Sequence, residues 1–200
     1  MKSSIPQTLL LICHPQTNSR LVHGIASRAL RPQLDTLHLT YTLTGEIGRL
    51  RLPPPRPTRR ADRLWQHTCF EAFVSLQGDS AYHEFNFAPS GEWAAYAFCH
   101  YRERAPLATE AVAPAITVGR AADSFEIRAV VRLDLLLRIQ TPARLRLGLS
   151  AVIEEEDGTL SYWALRHPPG KPDFHHPDGF VLVIDPPDLE VASESFMNKR

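Results

Sequence analysis

The sequence predicts an all-β protein: an antiparallel β-sandwich of about ten or more short strands, with at most one or two short helices. Three observations lead there. Apolar residues recur with period two in several segments. Turn-forming residues separate those segments at regular intervals. The 17 prolines in 200 residues are too many for a helical protein.

The first strand is Thr8–Cys13, an apolar run closed by His14-Pro15. It is too short for a secretory core of about 7–15 apolar residues. Over 18–30, Leu21, Ile25, Ala29 and Leu30 have near-helical spacing and suggest a helix. In Leu37–Leu43 the residues Leu37, Leu39, Tyr41 and Leu43 alternate with His38, Thr40 and Thr42. Pro53–Pro57 reads as a stiff, extended loop. Strands follow at Cys69–Leu76, Tyr82–Phe87, Trp93–His100 and Ile116–Val118. Phe125–Leu133 alternates cleanly, with polar Glu126, Arg128 and Arg132 on the other face. One or two helical turns are expected at Leu133–Leu137. Leu145–Ile153 and Leu160–His167 flank Asp157-Gly158, the tip of a hairpin. The last strand is Phe180–Ile184. Residues 1–186 are expected to form one domain and 187–200 a flexible C-terminal tail.

The chain carries 22 Lys+Arg and 22 Asp+Glu. This balance lacks the basic excess of a nucleic-acid-binding protein. The charge is uneven along the chain: residues 1–66 hold ten Lys/Arg and three Asp/Glu. Arg49, Arg51, Arg56, Arg59, Arg60 and Arg63 are either neutralised by the acidic remainder or form a local anion site. The three cysteines, Cys13, Cys69 and Cys99, form no CxxC pair and are expected to be small buried hydrophobes. No stretch has the roughly 18 apolar residues of a membrane span. These features predict a cytoplasmic chain with no membrane and no nucleic-acid partner, and leave its oligomeric state open.

The most informative stretch is 64–101. In Cys69–Leu76 the residues Cys69, Glu71, Phe73 and Ser75 share one face. In Tyr82–Phe87 the residues Tyr82, Glu84 and Asn86 share one face. If the two strands pair, Glu71, Glu84 and Asn86 lie side by side with Trp65 at their rim. Carboxylates and amides hold hydroxyl groups, and a flat indole covers an apolar ligand face. A carboxylate inside so apolar a strand needs a partner or must face solvent. For Glu71 that partner is either a ligand or an arginine such as Arg63 or Arg102.

Trp65, Glu71 six residues on, and the run Tyr82-x-Glu84-Phe85-Asn86-x-x-Pro89-x-Gly91 resemble the DOMON superfamily. Within it, they resemble family 9 carbohydrate-binding modules and bacterial DOMON-like proteins. Tyr162-Trp163-Ala164 and Lys171-Pro172-Asp173-Phe174-His175 look like the closing segment of the same proteins. The resemblance implies a ligand-binding sandwich that takes a saccharide or a sugar-containing metabolite without catalysis. It implies an aromatic pair, Trp65 and Trp163, beside the hydroxyl-binding Glu71, Glu84 and Asn86. Where such modules often place an arginine on the second strand, this chain has Glu84 and Asn86. Haem-binding members use a Met/His pair, but the only methionines are Met1 and Met197. No cofactor is therefore expected, with haem kept as the alternative, and an interaction scaffold as a further one.

The polar segment 167–179 reads either as an ordered loop using Asp and His for turn hydrogen bonds or as a wall of the ligand cleft through His167, Lys171 and His175. It shows no standard metal-ligand spacing, and no metal is predicted. The chain has no GxSxG, HExxH, P-loop or GxGxxG pattern. The one enzymatic alternative is Glu71 and Glu84 acting as a glycosidase pair.

Overall fold

A computed structural model describes residues 7–107, 112–134 and 143–187. Their strands are β1 (Leu9–Cys13), β2 (Val22–Gln33), β3 (Thr36–Gly45), β4 (Cys69–Leu76), β5 (Tyr82–Phe87), β6 (Trp93–His100), β7 (Glu103–Ala105), β8 (Ala115–Arg120), β9 (Ser124–Arg132), β10 (Leu145–Glu154), β11 (Leu160–Ala164) and β12 (Leu182–Ile184). All pairings between them are antiparallel. The only helical elements among the described residues are short 3-10 turns, and none is long and apolar enough to cross a membrane. The expected tail and the expected turns after Asp134 lie outside the described residues, as do Met1 and Met197.

One sheet runs β8-β9-β3-β2-β1, and the other β1-β11-β10-β4-β5-β6-β7, with β12 beside β10. Strand β1 belongs to both. Leu9–Leu11 pair with β2, whereas Ile12 and Cys13 pair with β11. The sandwich core forms where the alternating apolar residues of the two sheets meet. Leu39, Tyr41 and Ile127 face Phe70, Phe85 and Leu147 there, all buried. Tyr41 ties the layers together, its hydroxyl donating to the Glu71 carbonyl at 2.6 Å.

The helix expected over 18–30 is strand β2. Register shifts at Val22/Gly24 and at Leu30/Gln33 insert extra residues into the β2–β3 ladder. Val22 and Ile25 thus both become buried although three positions apart. A bulge in a strand has imitated helical spacing. Strand β7 carried too short a pattern to be read.

The Asp157-Gly158 hairpin joins β10 to β11, with Gly158 at a φ of 91°. The proline-rich loop docks on the 88–93 turn through Arg56 N–H to the Ser90 carbonyl (2.8 Å) and Trp93 N–H to the Arg59 carbonyl (3.1 Å). Most of the early arginines are neutralised: Arg49 by Glu46 and Glu156, Arg51 by Glu154, Arg59 by Glu92 and Arg60 by Asp62. Of the cysteines, Cys69 is buried, while Cys13 and Cys99 are only half-buried.

Strand β4 is buried on both faces, unlike the half-wet strands that alternation alone implies. Phe70, Ala72 and Val74 enter the inter-sheet core. The opposite face is covered by the chain returning after β11. Phe180 and Phe174 pack there against Phe73, Tyr82, Tyr96 and Phe98 in a second apolar cluster. Gly148 allows this approach, because a Cβ at that position would meet the Phe180 ring at 3.0 Å.

Candidate functional site

The returning segment covers this outer face incompletely, and a cavity of about 520 Å³ remains beside it. That volume lies within the range of small-molecule sites. Its floor follows from strand register. Glu71 on β4 stands opposite Asn86 on β5 and Ser150 on β10, and Phe73 stands opposite Glu84. Glu71 and Glu84 therefore project to the same side, and both line the cavity. Trp65 forms the rim. It sits on the 3-10 turn Leu64–Gln66, entered through Arg63 in the left-handed region (φ 64°), and is 47% exposed. Lys171, Phe174 and His175 of the returning segment, Arg102 just before β7 and Arg104 within it, and Tyr162 of β11 are among the residues of the wall.

Asn86 lies beneath the cavity, fully buried. Its side-chain amide donates to Glu84 Oε1 at 2.7 Å, and its carbonyl oxygen accepts a weak bond from the Cys69 thiol at 3.7 Å. Glu84 is thus held in place from below. On its other side His175 Nε2 lies 3.6 Å from Glu84 Oε2. That is too long for a strong hydrogen bond. The ring is also tied to Tyr82, whose hydroxyl accepts from the Arg102 backbone N–H (3.0 Å) and shares a hydrogen bond with His175 Nδ1 (2.9 Å). Burial holds His175 neutral, with its pKa lowered to about 4.

Glu71 has no basic partner within ion-pair distance among the described residues. Arg102 is instead bound to Asp173 at 2.8 Å, and Arg63 lies outside this cavity. Burial, and then the nearby Glu84, push the Glu71 carboxyl well above the ordinary carboxylate range. Burial also raises Glu84, against the lowering effect of the Asn86 bond and of Arg104 and Arg102. A carboxyl that keeps its proton is both donor and acceptor, which matches the two-way hydrogen bonding of a hydroxyl group. Beside it, the Ser150 hydroxyl is buried and unpartnered.

The structure thus gathers Trp65, Glu71, Glu84, Lys171 and His175 around one cavity, with Asn86 supporting it. Two expected residues are elsewhere. Trp163 points into the inter-sheet core, 7% exposed, with its indole N–H donating to Ser161 Oγ at 3.0 Å. Its neighbour Tyr162 lines the cavity, because Val152 aligns Tyr162 and Cys69 on the face that carries Glu71. His167 stands outside the cavity, its Nε2 donating to the Ile12 carbonyl at 2.8 Å and its ring set edge-on to His14. Two further polar groups of the loop bind within the protein. Asp173 binds Tyr101, Arg102 and the His175 amide, and the His176 ring accepts from the Asp178 amide. No group of three or more potential metal ligands occurs among the described residues. Arg104 was not anticipated, and Arg102 only as a partner for Glu71; the pairing of β6 with β7 brings both to the site.

No family model and no curated protein matches the sequence. The fold does have solved counterparts. One is a "putative carbohydrate-binding protein" from Bacteroides uniformis, 15% identical, with a TM-score of 0.64 over 88% of this chain and 84% of that one. Another is a family 9 carbohydrate-binding module from Caldicellulosiruptor kristjanssonii in complex with cellotriose, 9% identical, with a TM-score of 0.58 over 90% of this chain and 82% of that one. At these identities the likeness establishes a shared fold: an all-β antiparallel sandwich of the kind seen in carbohydrate-binding proteins.

Proposed function

We propose that the chain binds a small saccharide, or a metabolite containing one, without chemical turnover, in the cavity between Trp65 and the Glu71–Glu84 floor. One observation carries the reading. A buried, unpaired carboxyl, Glu71, lines an open cavity whose rim is an exposed indole. Left empty, such a carboxyl costs stability; a ring hydroxyl supplies the partner it lacks. The ring's apolar face would lie on Trp65, and its hydroxyls on Glu71 and Glu84. The solved counterparts, one of them holding cellotriose, support the same reading. A non-catalytic role is supported by the same counterparts, a "putative carbohydrate-binding protein" and a carbohydrate-binding module.

Titration with glucose, cellobiose and related sugars, read by tryptophan fluorescence and calorimetry, tests the proposal. Saturable quenching that disappears in Trp65→Ala is the expected result. A panel of mono- and disaccharides that gives neither heat nor quenching, or a Soret band on addition of haemin that Trp65→Ala leaves intact, would overturn it.

A further inference from the structure

A second hollow of about 430 Å³ adjoins the cavity, with Trp65 and Arg104 bordering both. Arg60, Asp62, Arg63 and Tyr96 complete it. Its charges do not cancel. Asp62 is engaged by both terminal nitrogens of Arg60 (2.8 and 3.1 Å) and by the Tyr96 hydroxyl (2.9 Å). Arg63 and Arg104 have no carboxylate partner among the described residues, and neither has Lys171 in the adjoining cavity. Arg104 is instead seated on the Tyr96 ring, its guanidinium carbon 4.3 Å from the centroid. The pair thus leaves two guanidinium forks beside an exposed indole, with no carboxylate in an ion pair with either among the described residues.

A guanidinium fork fits the paired oxygens of a carboxylate or phosphate. The cavity floor raises no opposing field of full strength, because Glu71 has its proton favoured by burial and Glu84 lies within the field of Arg102 and Arg104. Resting on the saccharide reading above, we infer that the ligand is an acidic saccharide: its hydroxyl-bearing ring sits over Glu71 and Glu84, and its anionic group reaches past Trp65 to Arg104 and Arg63. The shared chemistry is a sugar with a carboxylate or a phosphate.

The test compares glucose, glucuronate and glucose 6-phosphate on the intact chain by calorimetry in 20 mM and 500 mM NaCl. At least one acidic sugar is expected to bind tenfold or more tighter than glucose at low salt, and to lose most of that margin at high salt. Preference for glucuronate or for the phosphate tells which anion the site takes. In Arg63→Gln and Arg104→Gln the affinity ratio of acidic to neutral sugar should fall toward one. Equal affinity for glucose and both acidic sugars overturns the inference while leaving saccharide binding intact. Binding of inorganic phosphate as tightly as glucose 6-phosphate overturns it by showing an anion site without sugar recognition. If none of the sugars binds, the inference falls together with the reading on which it rests.

Discussion

Asn86 and Glu84, two residues apart on β5, are joined by a buried 2.7 Å hydrogen bond from the Asn86 amide to the Glu84 carboxyl. Side chains at i and i+2 of a strand point to the same face, so the strand itself supplies this pairing. Among the described residues the bond is the one short polar restraint on the Glu84 carboxyl, which lines the cavity. Replacing Asn86 by Ala leaves Glu84 without that donor and opens a small void. A loss of about 1–3 kcal/mol is expected by urea unfolding. Sugar affinity should fall in the same variant, although Asn86 is not itself among the residues lining the cavity.

The two tryptophans expected as a pair should separate cleanly on mutation. Trp65, about half exposed, is expected to cost about 1 kcal/mol or less when changed to Ala, with the ligand response abolished. Trp163, packed in the inter-sheet core, should cost about 3–5 kcal/mol on the same change. Trp163→Phe should retain ligand binding. Thermal unfolding and fluorescence titration of the three variants measure both effects.

Glu71 makes stability fall as pH rises above 4.5. Its carboxyl is raised in the fold, so the native state binds more protons than the unfolded chain once pH exceeds the ordinary value of 4.5. Stability from this group is complete below that pH and declines as pH rises toward the raised value. Glu71→Gln carries no such proton. The variant's melting temperature relative to the parent should therefore rise between pH 5 and pH 8, and a constant difference would show that Glu71 ionises as if exposed.

The opposite limb belongs to His83 and His175. Burial lowers each from 6.5 to about 4, and His83 Nδ1 has no hydrogen-bond partner. The unfolded chain takes up protons on these rings as pH falls through 6.5, and the native state does not. Their contribution is thus present above pH 6.5 and lost progressively toward pH 4, at most about 3 kcal/mol for each ring. Urea midpoints measured across this interval should fall, and His83→Leu should flatten the slope.

How much of this was legible beforehand differs by element. Strands β4, β5 and β6 were read at their observed limits, because they are short, largely apolar runs bounded by Gln-Gly-Asp and Pro-Ser-Gly turns. Strand β2 was not, since its bulges broke the period that identifies a strand. The juxtaposition of Glu71 with Asn86 followed from alternation plus the assumption of a hairpin. The choice between Tyr162 and Trp163 did not, as it requires the β10–β11 register. The arginine partner considered for Glu71 is absent, because Asp173, 71 residues along the chain from Arg102, captures it.

By itself the sequence determined that this is a strand-built protein, and which side chains share a face within each strand. Periodicity is a property of a single segment, set by the two-residue repeat of extended backbone. Tertiary structure decided which faces are sealed and which stay open. It alone brought the loop at 171–175, Arg102 and Arg104 to the acidic floor. Those meetings depend on contacts between distant parts of the chain, and no local pattern encodes them.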